Sequence, residues 1–397
     1  MNIIIVYDFG FINGGAAQVA ITSALALKQA GNHVVYLCAV RPVEERLQDV
    51  CDKVLCTNQK DIASDWNIFR KSVTGLWNCK ARRMLRSLLT GYDANNTIVH
   101  FHGWSKALSP SVLDIPRQMG FASCITLHDY FTVCPNGGLF DYQANTKCHL
   151  KPMSRICLKR NCDRDYYANK IWRYVRNTVQ DIQLRKSKQK CFISISDTCS
   201  YEIMNAGRHG NASISRINNP IVFPSLSCAD LNQADYYLFM GRLSKEKGPE
   251  LFCRAMTELG LKGVVLGEGP MKDELSAQYP NIEFAGWVRD AEKDQYLKRC
   301  RALIFSSLLV ETFGLSVAEM LSVGIPCIVG TGTAASELIE DGRNGILFEL
   351  GNIESLKAAI LRFETNYNDF KGFAFDRKSF SMDRHVAELT NLYQSLL

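Results

Sequence analysis

Residues 236–249 read Tyr-Tyr-Leu-Phe-Met-Gly-Arg-Leu-Ser-Lys-Glu-Lys-Gly-Pro. Tyr236 to Met240 are too few for a helix and suit a strand buried on both faces. A glycine-bounded polar loop follows, and Pro249 stands where a helix takes its first residue. Strand, loop and helix in that order form the repeating unit of a parallel sheet. The unit recurs downstream at Gly263–Leu266, Ile282–Ala285, Ala302–Phe305, Pro326–Val329 and Gly345–Phe348. Upstream it recurs at Ile3–Tyr7, His33–Cys38, Thr97–Phe101, Ala122–Leu127 and Cys191–Ile195, the last read as closing the first series. Two such series predict an α/β protein of two Rossmann-like, doubly wound domains.

A chain of 397 residues suits two domains. The first is expected over 1–218, with an insertion at about 134–190, and the second over 219–380. Asn218–Asn232, with Pro220 and Pro224, reads as the hinge. A last helix at 381–397 carries Val386, Leu389, Leu392, Tyr393 and Leu396 at helical spacing and is expected to pack back on the first domain.

Apolar residues make up 47% and charged residues 22%, the balance of a globular protein rather than a disordered one. The amino terminus does not read as a secretory leader, and no stretch approaches the roughly 18 apolar residues of a membrane span. The odd count of 15 cysteines suits reduced thiols and a cytoplasmic location. A net charge of +6 is too mild for a nucleic-acid partner. Its distribution is uneven: between Lys147 and Lys190, thirteen lysines and arginines face three aspartates.

Three motifs carry chemistry. Gly10, Gly14 and Gly15 sit between the first strand and its helix, where backbone can approach a ligand and helix N–H groups can meet an anion. The spacing is not the dinucleotide fingerprint. Arg242 and Lys247 follow a strand at the sheet edge where open α/β folds bind ligands, and two cations there suit a diphosphate. Glu311 and Glu319 stand eight positions apart across a helix start containing Phe313, Gly314 and Leu315. Helix N–H groups there can meet phosphate, and ionised carboxylates can accept from sugar hydroxyls.

Together these residues resemble family-4 glycosyltransferases of the GT-B fold, in which two Rossmann-like domains face a central cleft. The resemblance rests on Gly14-Gly15, Gly241-Arg242-Leu243, Lys247-Gly248, Gly267-Glu268-Gly269-Pro270, Glu311 to Glu319, Gly324-Ile325-Pro326-Cys327, Asp341-Gly342 and Asn344-Gly345. It implies a retaining transferase that moves a hexose-type sugar from a UDP- or GDP-sugar to a glycan or lipid-linked glycan, in bacterial surface polysaccharide synthesis. It implies a diphosphate clamp at Arg242 and Lys247, a ribose ligand at Glu319, and a carboxylate at the donor sugar at Glu311. Further donor contacts are implied at Gly14, Gly15, Glu268, Phe313, Gly314 and Leu315. His128, ending the strand Ile125-Thr126-Leu127, matches the family's active-site histidine. His102 is an acceptor-side candidate. No catalytic metal is implied. An epimerase on the same fold and a silent assembly partner are the competing readings.

Cys134, Cys148, Cys157 and Cys162 have spacings of 13, 8 and 4 intervening residues. Structural zinc, buried thiols and disulfides are all compatible with that pattern. The insertion resembles one found in polysaccharide-assembly members of the family. Its Asp163-Arg164-Asp165 reads as a solvated carboxylate pair rather than a metal motif. Its basic residues, interleaved with Tyr166, Tyr167, Trp172 and Tyr174, suit either a solvated helix pair or an anionic membrane surface, which would make the protein peripheral on the inner face of the membrane.

Overall fold

Asn2–Val6 (β1) is the strand around which the first sheet is built, and Ile3 through Val6 are fully buried. Parallel partners flank it: His33–Cys38 (β2) on one side, with Lys53–Cys56 (β3) beyond it, and Thr97–Phe101 (β4) on the other. Ala122–Thr126 (β5) pairs with β4. Phe140–Asp141 (β6) and Thr146–Lys147 (β7) form a separate antiparallel hairpin. Lys190–Ser194 (β8) and Ala212–Arg216 (β9) complete the sheet in the order β3-β2-β1-β4-β5-β8-β9.

The second sheet contains Tyr236–Met240 (β10), Gly263–Leu266 (β11), Ile282–Gly286 (β12), Cys300–Phe305 (β13), Cys327–Gly330 (β14) and Gly345–Phe348 (β15). All pairs are parallel, in the order β12-β11-β10-β13-β14-β15. The unbroken apolar run of β10 is explained by its two faces. Tyr237 and Phe239 join a core with Phe252, Met256, Ile360 and Phe363. Tyr236 and Leu238 join another with Leu297, Val317, Met320 and Leu321. Helices therefore cover both sides, and each fully buried large side chain contributes roughly 1.5–3 kcal/mol.

The computed structural model describes residues 1–64, 67–186, 190–226, 229–288 and 290–397. The chain divides into two units. One holds Met1–Gly138, His149–Pro220 and Ser379–Leu397; the other holds Leu139–Cys148 and Ile221–Lys378. Thus the β6–β7 hairpin, within the insertion expected at 134–190, belongs to the second unit. The division falls inside the stretch read as a hinge, of which residues 227 and 228 lie outside the described residues, as do 187–189 at the end of the basic stretch. The last helix, Met382–Leu396, packs on the helix Gly15–Gln29 within the first unit. Its buried stripe is His385, Leu389 and Tyr393.

Strand bounds agree with the sequence reading to within two residues, with four omissions, two of them the short hairpin strands Phe140–Asp141 and Thr146–Lys147. Lys53–Cys56 and Ala212–Arg216 are edge strands whose residues are half-buried or exposed; Ala212–Arg216 presents no apolar run, and Lys53–Cys56 only the short Val54-Leu55-Cys56. Ala212–Arg216, not Cys191–Ile195, ends the first series.

Candidate active site

Strand order reverses between β1 and β4 in the first sheet and between β10 and β13 in the second. At such a switch point the loops leaving the strand ends diverge and open a crevice, the usual ligand position in open α/β sheets. The candidate residues lie on these loops.

In the second unit, the loop after β10 is held by backbone bonds from Gly241 N to Leu266 O (3.0 Å), Leu243 N to Glu268 O (3.0 Å) and Met271 N to Leu243 O (3.1 Å). Gly267 and Gly269 permit this approach: a Cβ on Gly267 would lie 1.9 Å from Gly241 O, and one on Gly269 2.3 Å from Leu243 O. Gly248 has φ 66° and sits against the end of β13, where a Cβ would meet Ser306 O at 2.2 Å. The loop is therefore a fixed platform. From it Arg242 extends exposed, with no partner among the described residues. Lys247 Nζ donates to Glu311 Oε1 at 2.6 Å, and the Ser307 hydroxyl donates to the same oxygen at 2.6 Å.

Glu311 has φ 45°, and the helix Leu315–Ser322 starts four residues past it, after Gly314. No side chain caps that helix, so its first N–H groups can serve an anion. Phe313 is buried beneath the turn. Glu319, one turn further on, is 8% exposed. Burial raises its pKa, and Lys293, whose Nζ is 3.1 Å from Oε2, pulls it back. Arg242 and Lys247 thus follow β10, while Glu311, Gly314, Leu315 and Glu319 follow its neighbour β13, and Lys247 and Glu311 join the two. Glu268 lies on the neighbouring loop and is ion-paired to Lys272 at 2.6 Å.

In the first unit, Gly14 has φ 154°, begins the helix Gly15–Gln29, and has open space where a Cβ would stand. Upstream, Asp8 accepts from the N–H groups of Lys106, Ala107 and Leu108, each at 2.8 Å, tying the β1 loop to the β4 loop. Burial raises its pKa against those three donors. His102 follows β4 and is 3% exposed; its Nδ1 is 2.9 Å from His128 Nε2. Burial holds both imidazoles below the ordinary range, His128 at about 3. His100 lies beside them, its ring nitrogens 2.7 Å from Tyr393 Oη and 2.7 Å from Thr126 Oγ1.

Lys293, Ser307, Asp8 and His100 were missed by the sequence reading. Only Asp8 carried a signal, as a carboxylate at the end of a buried strand before a glycine loop.

The cysteine group does not fit zinc. Among the described residues, no three His, Cys, Asp or Glu side chains are placed to hold a metal ion. Cys148 belongs to the second unit, while Cys134, Cys157 and Cys162 belong to the first. The buried ammonium of Lys170 donates to Cys162 Sγ at 3.1 Å and Cys157 Sγ at 3.4 Å, a positive charge where a dication would need to sit. Asp163 also departs from expectation. It is fully buried and ion-paired to Arg173 at 2.6 Å, while Asp165 is exposed.

The match to a known family covers residues 231–374 and is to Glycosyl transferases group 1. A curated relative, the O-antigen chain mannosyltransferase C of Escherichia coli, is 26% identical over 178 residues, 41% of this chain and 47% of its own. Another, the N-acetylgalactosamine-N,N'-diacetylbacillosaminyl-diphospho-undecaprenol 4-alpha-N-acetylgalactosaminyltransferase of Campylobacter jejuni, is 33% identical over 129 residues, 30% of this chain and 35% of its own. The chain spans about half the length of the first of these curated relatives. Among solved structures, HepE of Anabaena in complex with UDP covers 100% of both chains with TM-score 0.68 at 15% identity. That likeness is one of fold, two Rossmann-like domains of the GT-B class.

Proposed function

Residues 231–374 match the glycosyl transferases group 1 family, and from that premise we propose that the chain transfers a sugar, with retention, from a nucleoside-diphosphate donor to a hydroxyl of a glycan or lipid-linked glycan. The observation that carries this reading is the second unit's switch point. Arg242 and Lys247 follow one of its two central strands, an uncapped helix start and the buried Glu319 follow the other, and the Lys247–Glu311 bond links them.

The donor's diphosphate takes Arg242, Lys247 and the N–H groups at Gly314–Leu315. Glu319 accepts from the ribose hydroxyls. Seating the diphosphate on Lys247 replaces the Lys247–Glu311 pair, and Glu311 turns to the sugar. In the reaction the bond from the anomeric carbon to the diphosphate oxygen breaks, and a bond to the acceptor oxygen forms on the same face. The acceptor proton passes to the departing phosphate oxygen. Charge develops on the diphosphate, where fixed cations and helix N–H groups act most strongly. We propose His128 as a hydrogen-bond partner of a sugar oxygen. Because Arg242 and Lys247 neutralise the leaving group, turnover is expected to survive excess EDTA. Nuclear magnetic resonance of the product should show the donor's anomeric configuration. An inverted linkage sinks the retaining mechanism, and an isomerised nucleotide sugar made from donor alone supports an epimerase instead.

The first unit also suits an anionic membrane surface. No helix among the described residues is long and apolar enough to cross a membrane. The helix Ile68–Leu76 nevertheless exposes Ile68 and Val73, and Phe69 to 87%. It packs on the helix Tyr167–Arg185, where Trp172 Nε1 donates to Ser72 O at 3.2 Å. That second helix exposes Val175 and Ile182, and beside it stand exposed Arg155, Lys159, Arg160 and Arg164. Apolar side chains among cations match an anionic interface. In a flotation assay the chain should rise with vesicles containing phosphatidylglycerol and stay down with phosphatidylcholine alone. Phe69→Ser should weaken the first result, and equal recovery from both vesicles removes the membrane proposal.

A further inference from the structure

We infer that His102 is a positioning residue which fixes the tautomer of His128, so that His128 carries its proton on Nδ1. The inference rests on the transferase reading for its consequence in catalysis, but not for its geometry.

The placement of His102 is rigid. Its backbone N–H donates to Val6 O at 2.9 Å, anchoring it at the first sheet's switch point. Its ring lies 4.1 Å from that of His100, which Tyr393 and Thr126 hold through both nitrogens. The His102 and His128 rings are inclined by only 21°, with centroids 5.2 Å apart and Nδ1 2.9 Å from Nε2.

A neutral imidazole has one N–H donor and one bare acceptor nitrogen. In the His102–His128 bond one ring must donate and the other accept. The second nitrogen of His102, Nε2, is buried and has no partner among the described residues. If His102 accepted at Nδ1, its proton would sit on Nε2 as a buried N–H without an acceptor, the rarest kind of unpaired polar group. If His102 donates from Nδ1, Nε2 is a bare lone pair. The second arrangement is the less costly one. His128 Nε2 then accepts, and its proton resides on Nδ1.

Both rings are neutral, because burial opposes a charge on either. His128 therefore holds its Nδ1–H in a fixed direction, without a population of the other tautomer to be excluded at each turnover. Polar groups near the pair include His100, Thr126 and Tyr393, with His385 on the same helix as Tyr393.

The test uses the full chain labelled with 15N-histidine and read by long-range proton–nitrogen correlation, with each of the seven histidines assigned by single His→Gln variants. Wild-type His128 should show the Nδ1–H pattern between pH 6 and 8. His102→Phe should convert it to a mixture dominated by Nε2–H, the usual tautomer in water. In turnover, His102→Phe should lower kcat by about 10–100-fold, the scale seen when a partner that orients a functional histidine is removed. The donor KM should stay within about twofold. His102→Asn, whose amide can still donate to Nε2, should restore the Nδ1–H pattern and most of kcat. This also separates positioning from a general loss of fold. An Nε2–H or doubly protonated His128 in the wild type overturns the inference, as does an unchanged pattern in His102→Phe. The spectrum needs no substrate. A chain without transferase activity but with Nδ1–H at His128 would refute the reading of the reaction while upholding the hydrogen bond.

Discussion

Glu319 is a carboxylate with little access to water, and Lys293 is the cation that offsets its burial. Removing one member of such a pair leaves the other charge uncompensated, which costs more than the pair itself contributes. Lys293→Ala is therefore expected to lower stability by about 1–3 kcal/mol in urea unfolding, tempered by the partial exposure of the lysine. It should also weaken nucleotide binding, because Glu319 would be driven toward its protonated form and lose acceptor strength. Lys293→Ala with unchanged stability and affinity would contradict the coupling. The eight-residue spacing of Glu311 and Glu319 made those carboxylates legible in the sequence. Lys293 was not legible, since it lies on a different helix, Asp290–Lys298, in a run of mixed charges with no motif. Lys170 is a similar case. A lone lysine in a basic stretch gives no sign that it will be buried among thiols, and the cysteine spacing by itself left zinc, buried thiols and disulfides open.

At the scale of elements, the loops are built by close backbone approach. Gly267 has φ 153° and lies against Gly241 O, next to the residue that presents Arg242. Gly267→Ala should cost about 2–4 kcal/mol through overpacking and backbone strain, and should weaken nucleotide binding by shifting Arg242. Gly260 is the control. It caps the helix Pro249–Leu259 at φ 64° with no atom within 4 Å of an added Cβ, so Gly260→Ala should cost only about 1–2 kcal/mol and leave binding intact. Equal losses for the two variants in urea unfolding and nucleotide titration would refute the close-approach argument. Buried strands such as Tyr236–Met240 were legible because both their faces are core. Edge strands such as Ala212–Arg216 were not, because a ladder made of half-exposed serine and arginine leaves no period for the sequence to reveal.

For the whole molecule, four histidines constrain behaviour with pH. His100, His102, His128 and His385 are all held below the ordinary imidazole range by burial, His128 at about 3 and His385 at about 4. The unfolded chain gains protons at these sites below about pH 6.5, and the folded chain does not. Stability is thus full above that pH and falls as the pH drops toward 4, by about 1.4 kcal/mol per pH unit for each imidazole. The melting temperature should fall steeply between pH 6.5 and 5. His385→Gln should flatten the slope by about a quarter, provided its amide keeps the contacts to Ser23 and to Asn218 O. A melting temperature level over that range would contradict a neutral buried cluster. The two-domain α/β plan was legible from strand–helix alternation, but the cluster was not, because its members come from β4, the β5 turn and the final helix.

The most direct measurement is calorimetric titration of the full chain with UDP and with GDP, run alongside Lys247→Ala. One of the nucleotides should bind at a single site, and the variant should bind it at least about tenfold more weakly, roughly 1.4 kcal/mol, with its fold retained. Absence of binding by both nucleotides, or equal affinity in wild type and variant, would contradict a diphosphate seat at the second unit's switch point.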